Sequence, residues 1–383
     1  MPDRLRVLHI GKYYPPVPGG MERVLQLLCE GERGHVDSRV LVAGLERTTR
    51  RAVENGVPVT RAGSLAMIGT VGLSAALPFE LRRMQADVTV LHEPNPVALV
   101  ADFLTRRRGP LVVYFHSEVV RPQWKYALLY RPFLARVLDR ADRIIVASPP
   151  IAATATQLAG HRQKCVVIPY GIDLAAFEMT PAVQRQVAAI RAESTLPLIL
   201  FVGRLVPYKG VDVLIRAMVD APARLAIVGD GPLRQSLQQL AIELGLSDRV
   251  RVVGGVPDAD VIALYHACRF FVLPSVTRAE AFGMVQIEAM ACRKPVISTD
   301  LPSGVPWVNR HGETGWVVPP GDVAALHEAM MGLLADAALC DRLGAGARLR
   351  VEQEFTSRRM AERTVALYEE VVREHATAVS GRK

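Results

Sequence analysis

Phe270-Phe271-Val272-Leu273-Pro274-Ser275-Val276-Thr277-Arg278-Ala279-Glu280-Ala281-Phe282-Gly283-Met284-Val285-Gln286-Ile287-Glu288 reads as a strand, a loop and a helix in succession. The apolar run stops at Pro274, which cannot donate to a strand ladder. A short polar loop then carries Glu280, and a helix is expected to begin near Phe282-Gly283 and to carry Glu288. Gly283 lets backbone approach a ligand closely, and a helix start offers free N–H groups to an anion. A carboxylate, an N–H cluster and a second carboxylate in a row suit a ligand made of a sugar, a phosphate and a ribose. The plain alternative is an ordinary strand-to-helix turn with two solvated glutamates.

Outward from this stretch, strand and helix patterns alternate along the whole chain, the signature of parallel sheets with crossover helices. Strands are expected at 6–10, 38–43, 87–91, 111–115, 143–147 and 165–168, with helices at 20–31, 75–85, 95–107, 124–140 and 149–159. After Ile168-Pro169-Tyr170-Gly171-Ile172-Asp173 the period restarts, with strands at 197–202, 224–228, 250–253, 270–273, 295–298 and 316–318. The reading is α/β, with two doubly wound parallel-sheet domains facing each other. Ligands in such sheets sit beyond the carboxyl ends of the strands, where the loops of interest fall.

The 383 residues are too many for one typical domain, and each of two domains is long enough to bury a core. Half the residues are apolar and 22% are charged, as in a soluble globular protein. The formal charge of +8 favours anionic partners. The arginines are scattered or in short clusters with few aromatics between them, so no nucleic-acid partner is expected. Cys29, Cys165, Cys268, Cys292 and Cys340 are widely spaced with no Cys-x2-Cys pair, which indicates neither a zinc site nor a disulfide framework. The N-terminus runs straight into a strand without a signal-peptide pattern. The expectation is a cytoplasmic protein, peripheral at a membrane if anything. The mixed aromatic and basic helix 123–136 and the uncharged run 64–79 would be its contacts with an anionic membrane surface. A half-core, half-solvated helix is the simpler alternative.

Four loops carry candidate chemistry. Gly19-Gly20 at a helix start could set N–H groups against a phosphate, yet the loop lacks the Gly-x-Gly-x-x-Gly dinucleotide fingerprint. His92 and His116 end strands, and either could serve a substrate hydroxyl or act as a base, although a lone histidine is more often structural. Neither is accompanied by a second ligand at helical spacing, so no metal is expected. Gly203-Arg204 and Lys209-Gly210 flank a loop, where the planar fork of Arg204 and the point charge of Lys209 suit a pyrophosphate. Gly229-Asp230-Gly231-Pro232 and Gly254-Gly255 are glycine turns able to approach a flat ring, weak signals when taken singly.

Together these motifs resemble the family 4 retaining glycosyltransferases. Gly203-Arg204 with Lys209-Gly210, Gly229-Asp230-Gly231-Pro232, Pro274-Ser275, Glu280-x7-Glu288, Gly19-Gly20, the Pro-Tyr-Gly-Ile-Asp hinge and Gly312-Glu313-Thr314-Gly315 occur in the family's order across essentially the whole chain. The resemblance implies a GT-B architecture, two Rossmann-like domains with an interdomain cleft. An acceptor-side domain would span 1–174, rejoined by a C-terminal helix within 358–383, and a nucleotide-sugar-binding domain would span 175–357. It further implies that Arg204 and Lys209 hold the donor pyrophosphate, Glu288 the ribose hydroxyls and Glu280 the transferred sugar. Ala281, Phe282, Gly283 and Met284 would serve sugar and phosphate through backbone groups. Gly19 and Gly20 would meet the phosphate, Gly203 and Gly254 would border the donor, and His116 would lie near the sugar's reactive face.

The implied activity is metal-independent retaining transfer of a hexose, without a cofactor, from a nucleotide-diphosphate sugar to a glycan or lipid-linked acceptor. One departure stands out. Where many members read Gly-Gly-x-Pro-Glu, this chain has Ser303-Gly304-Val305-Pro306-Trp307, so Trp307 replaces a carboxylate. That variant resembles mannosyl- and rhamnosyltransferases of bacterial surface polysaccharides, which favours a GDP-sugar, with UDP-sugars close behind. The alternative class is a catalytically silent nucleotide-sugar binder in an assembly.

Overall fold

The computed structural model describes residues 4–69, 71–118 and 130–380. The chain divides into two compact units, one formed by Met1–Gly171 with Ser357–Lys383 and the other by Ile172–Thr356. Each is built on a mostly parallel sheet whose strands are near-continuous apolar runs, as burial on both faces demands.

In the first unit the spatial order is Cys165–Val167, Arg143–Val146, Leu111–Phe115, Val88–Glu93, Arg6–Ile10, Asp37–Ala43, Val57–Ala62 and Arg50–Glu54. All neighbours are parallel except the last pair. The switch point, where the winding reverses, falls between Arg6–Ile10 and Val88–Glu93. In the second unit six parallel strands run Val250–Gly254, Arg224–Val228, Leu198–Val202, Phe270–Leu273, Val296–Thr299 and Gly315–Val318. This is the doubly wound 3-2-1-4-5-6 order. Its switch point separates Leu198–Val202 from Phe270–Leu273. The loops that follow these two strands are those carrying Arg204 with Lys209, and Glu280 with Gly283.

The strands expected from sequence lie within two residues of their expected ends. Arg50–Glu54 and Val57–Ala62 were not anticipated. They form a hairpin turning on Asn55-Gly56, both at positive φ (48° and 79°), the signature of a type I′ turn. The uncharged run is also folded, as the hairpin Ala66–Ile68 with Val71–Leu73 followed by the helix Ala76–Arg83. Of the helix expected at 124–140, the part Arg131–Arg140 is present, while 119–129 lies outside the described residues. The helix expected at 149–159 stops at Thr154 and continues as a 3₁₀ turn.

The last helix, Ser357–Ser380, packs against Gly20–Glu32 within the first unit. Gly31 permits this contact, since a Cβ there would stand 2.8 Å from the Cβ of Ala361. Among the described residues no single helix is long and apolar enough to cross a membrane.

Candidate active site

In the second unit the site grows from the two loops at the switch point. The strand Leu198–Val202 ends at Gly203, whose N–H donates to Val228 O at 2.9 Å. The facing loop comes so close that a Cβ on Gly229 would lie 2.0 Å from Gly203 O, and Gly229 has φ +128°. Only glycine fits there. Arg204 is exposed beyond this crossing. Lys209 closes a 3₁₀ turn, Pro207–Lys209, and its side chain turns inward.

There Lys209 Nζ pairs with Glu280 Oε2, which also accepts from Ser275 Oγ at 3.1 Å. Both side chains are buried. The loops are tied by Val276 N donating to Tyr208 O at 2.8 Å. Burial, opposed by Lys209, raises the Tyr208 phenol above its ordinary range, so it stays neutral.

The helix begins at Met284 rather than Phe282, and runs to Ala291. Gly283 caps it in the left-handed region (φ 75°), leaving the first amides of the helix without intrahelical partners. Ala281 O accepts from Gly304 N at 2.7 Å, and Phe282 O from Gln286 Nε2 at 2.9 Å, so the loop is held on both sides. Glu288, half-buried on this helix, accepts from Tyr265 OH at 2.8 Å. Burial, followed by that carboxylate, pushes the Tyr265 phenol well above its ordinary range. Tyr265 was not singled out from sequence, and Ser275 entered only as part of the Pro274-Ser275 motif. The tyrosine sits on a helix whose apolar pattern hides its one polar tip.

Trp307, at the position of the missing carboxylate, packs against Phe355 (5.6 Å between ring centroids) and Phe282 (6.4 Å). Arg350 lies 5.4 Å over its ring and donates to Trp307 O (2.7 Å) and Val308 O (2.9 Å). Burial lowers this guanidinium's pKa to about 10. At this position a cation stacks on the indole.

Gly254 (φ +87°) accepts through its carbonyl from Gly229 N at 2.8 Å. Asp230 joins the neighbouring turn, accepting from Gly255 N (2.8 Å) and Arg234 Nη1 (2.6 Å).

In the first unit Gly19 precedes the helix Gly20–Glu32. Open space lies beside Gly20, but the Glu22 carboxylate hangs over Gly19, within 2.0 Å of where its Cβ would stand. The candidate phosphate position thus carries the chain's own acid. Burial raises the Glu22 pKa and lowers that of Lys12 nearby, so the two pull toward neutrality.

His116 is buried, with both ring nitrogens engaged by protein: Nε2 lies 2.9 Å from His92 Nδ1, and Nδ1 lies 2.8 Å from Tyr170 OH. Burial drops its pKa to about 3, so the ring is neutral. His92 leads on to His9, which sequence reading passed over inside an apolar strand. Among the described residues the donors of His9, Cys29 and Glu32 lie within 4.8 Å of one another, the spacing of a metal site. Burial, then Glu32, holds the Cys29 thiol well above its ordinary pKa, and His9 Nε2 already faces Glu32, so a hydrogen-bonded cluster fits better than a thiolate ligand.

The fold is of the GT-B class. A sucrose-phosphate synthase from Thermosynechococcus elongatus superposes with a TM-score of 0.80 at 23% identity, over 96% of this chain and 99% of that one. WaaG, a glycosyltransferase involved in lipopolysaccharide biosynthesis, gives 0.70 at 19%, over 94% and 99%.

Sequence narrows the class. Residues 183–350 match the family described as Glycosyl transferases group 1 and residues 18–176 match Glycosyltransferase Family 4, and the chain belongs to this family. It is 36% identical to the D-rhamnosyltransferase WbpZ of Pseudomonas aeruginosa, over 92% of this chain and 93% of that one. It is 32% identical to the O-antigen chain mannosyltransferase C of Escherichia coli, over 95% and 98%.

Proposed function

We propose that the protein transfers a hexose of mannose or rhamnose type, with retention, from a nucleotide-diphosphate sugar to a glycan or lipid-linked acceptor of a surface polysaccharide. A GDP-sugar is the first choice of donor and a UDP-sugar the second. The observation that carries this reading is the gathering of Arg204, Lys209, Glu280, the Gly283–Met284 helix start and Glu288 at one switch point. The names of the relatives support the sugar, and a relative described as GDP-mannose-dependent supports the base. The Anabaena HepE, of like fold, has been solved with UDP-glucose, which keeps the second choice in play.

In this reading Glu288 grips the ribose hydroxyls. Arg204, Lys209 and the free helix amides take up the charge that develops on the diphosphate as the anomeric bond breaks. The acceptor oxygen attacks from the face the diphosphate leaves, and its proton passes to the departing phosphate oxygen. Because two cationic side chains supply the positive charge, activity should persist in EDTA. Exposed Met67, Leu73, Phe79, Phe103 and Leu104 of the first unit, with Arg82, Arg83 and Arg106 in the same segments, support docking on an anionic membrane.

The test is transfer from a panel of GDP-, UDP-, ADP- and dTDP-sugars to lipid-linked acceptors, with product anomericity read by NMR. An inverted product overturns retention. Nucleotide binding without transfer to any acceptor would favour a silent binder.

A further inference from the structure

We propose that Glu32, His9 and His92 are positioning residues that hold His116 in one tautomer, with its proton on Nε2 and its Nδ1 accepting from Tyr170. The four ionisable groups and the tyrosine form an unbroken buried chain across three adjacent strands and the helix behind them. Glu32 Oε2 lies 3.0 Å from His9 Nε2 and 2.6 Å from Ser38 Oγ. His9 Nδ1 lies 3.1 Å from His92 Nε2, His92 Nδ1 lies 2.9 Å from His116 Nε2, and His116 Nδ1 lies 2.8 Å from Tyr170 OH. All six residues are at least nine-tenths buried.

The direction of the chain follows from its first member. An ionised carboxylate only accepts, whereas a neutral imidazole donates at one nitrogen and accepts at the other. Beside a carboxylate at Glu32, a neutral His9 carries its proton on Nε2 and accepts at Nδ1. That choice obliges His92 to donate from Nε2, and His92 obliges His116 to do the same. The tyrosine hydroxyl closes the line as donor.

The rings of His92 and His116 are neutral: burial, reinforced by the flanking imidazoles, lowers the His92 pKa well below its usual value, and burial alone does so at His116. The other groups facing the chain do not compete for its protons. Tyr114, stacked on His92 and His116 at 5.2 and 4.7 Å, Tyr368 from the C-terminal helix and Cys29 are all pushed upward by burial and stay protonated. Reversing the chain would require a proton on Glu32 or a second proton on His9. A ligand that displaced Tyr170 from His116 would thus meet a lone pair on Nδ1, fit to accept from a sugar hydroxyl.

The tautomers are read by long-range ¹⁵N–¹H correlation on protein labelled in its histidine rings. Wild-type protein should show the Nε2–H form at His9, His92 and His116. A proton on Nδ1 of His116 overturns the proposal before any variant is made. Glu32→Ala, distant from His116, should bring in the second tautomer there, and an unchanged His116 would again overturn it. His92→Phe, which cuts the line next to His116, provides the same readout if Glu32→Ala fails to fold.

A kinetic arm rests on the function proposed above. There Glu32→Ala should lower kcat by about tenfold or more with nucleotide affinity unchanged. A tautomer shift without loss of turnover would leave the chain in place and remove the sugar role of His116.

Discussion

Lys209 and Glu280 neutralise one another inside the second unit, each side chain only 10% exposed, with Ser275 closing the third contact. Removing one member of such a buried pair costs more than removing both, because the survivor is left as an unpaired charge. Lys209→Ala should lower stability by about 3 kcal/mol. The double variant Lys209→Met with Glu280→Gln should recover most of that loss, as measured by urea unfolding. Equal losses in the single and double variants would remove the pair as a unit.

The same pair predicts a separation of binding from turnover. A bound diphosphate would compete with Glu280 for Lys209, so Glu280→Gln should bind GDP as tightly as the wild type or more tightly. Transfer should meanwhile fall about tenfold or more, since the group facing the sugar has changed. Calorimetry and initial rates on one preparation distinguish this from general damage, which would weaken both.

Tyr265 orients Glu288 through a 2.8 Å hydrogen bond. Tyr265→Phe should weaken nucleoside diphosphate binding by about 1 kcal/mol, roughly fivefold, and Glu288→Ala by about tenfold or more. Neither substitution should alter affinity for inorganic pyrophosphate, which has no ribose. Equal losses for both ligands would place Glu288 at the phosphate.

Acid should destabilise the first unit through its buried histidines. The His116 pKa falls from 6.5 to about 3 on folding, so the unfolded chain binds more protons between those values. Its contribution is fully present above pH 6.5 and is lost as pH falls toward 3, at up to about 1.4 kcal/mol per pH unit. His92, lowered in the same direction, adds to the slope. Unfolding free energies of wild type and His116→Phe, measured from pH 7 to 4, should diverge in slope, and parallel lines would exclude this linkage.

Gly229→Ala should disturb the site without touching a ligand. A methyl group 2.0 Å from Gly203 O forces the two loops apart, and φ +128° is strained for alanine. The displaced Gly203-Arg204 should lose nucleotide affinity along with stability, whereas Gly312→Ala, with open space around it, should suffer the backbone strain alone.

The amino-acid sequence by itself determined the alternation of strands and helices, the two doubly wound sheets and the loops that bear chemistry. Those are local matters: apolar runs of strand length, glycines where backbone must cross or turn, and a proline that stops a strand. It also carried the type I′ signal at Asn55-Gly56, which went unread because the flanking strand Arg50–Glu54 is a polar, mostly exposed edge. Only the tertiary structure decided which side chains meet. Lys209 and Glu280 are 71 residues apart and His9 and His92 are 83 apart, and no local pattern encodes such pairs. Strand order brings them together, and burial then dictates that each polar atom find a partner or lose its charge. The same long-range packing closed both nitrogens of His116 and set Arg350 on Trp307, because hydrogen bonds and desolvation act on distance in space rather than along the chain.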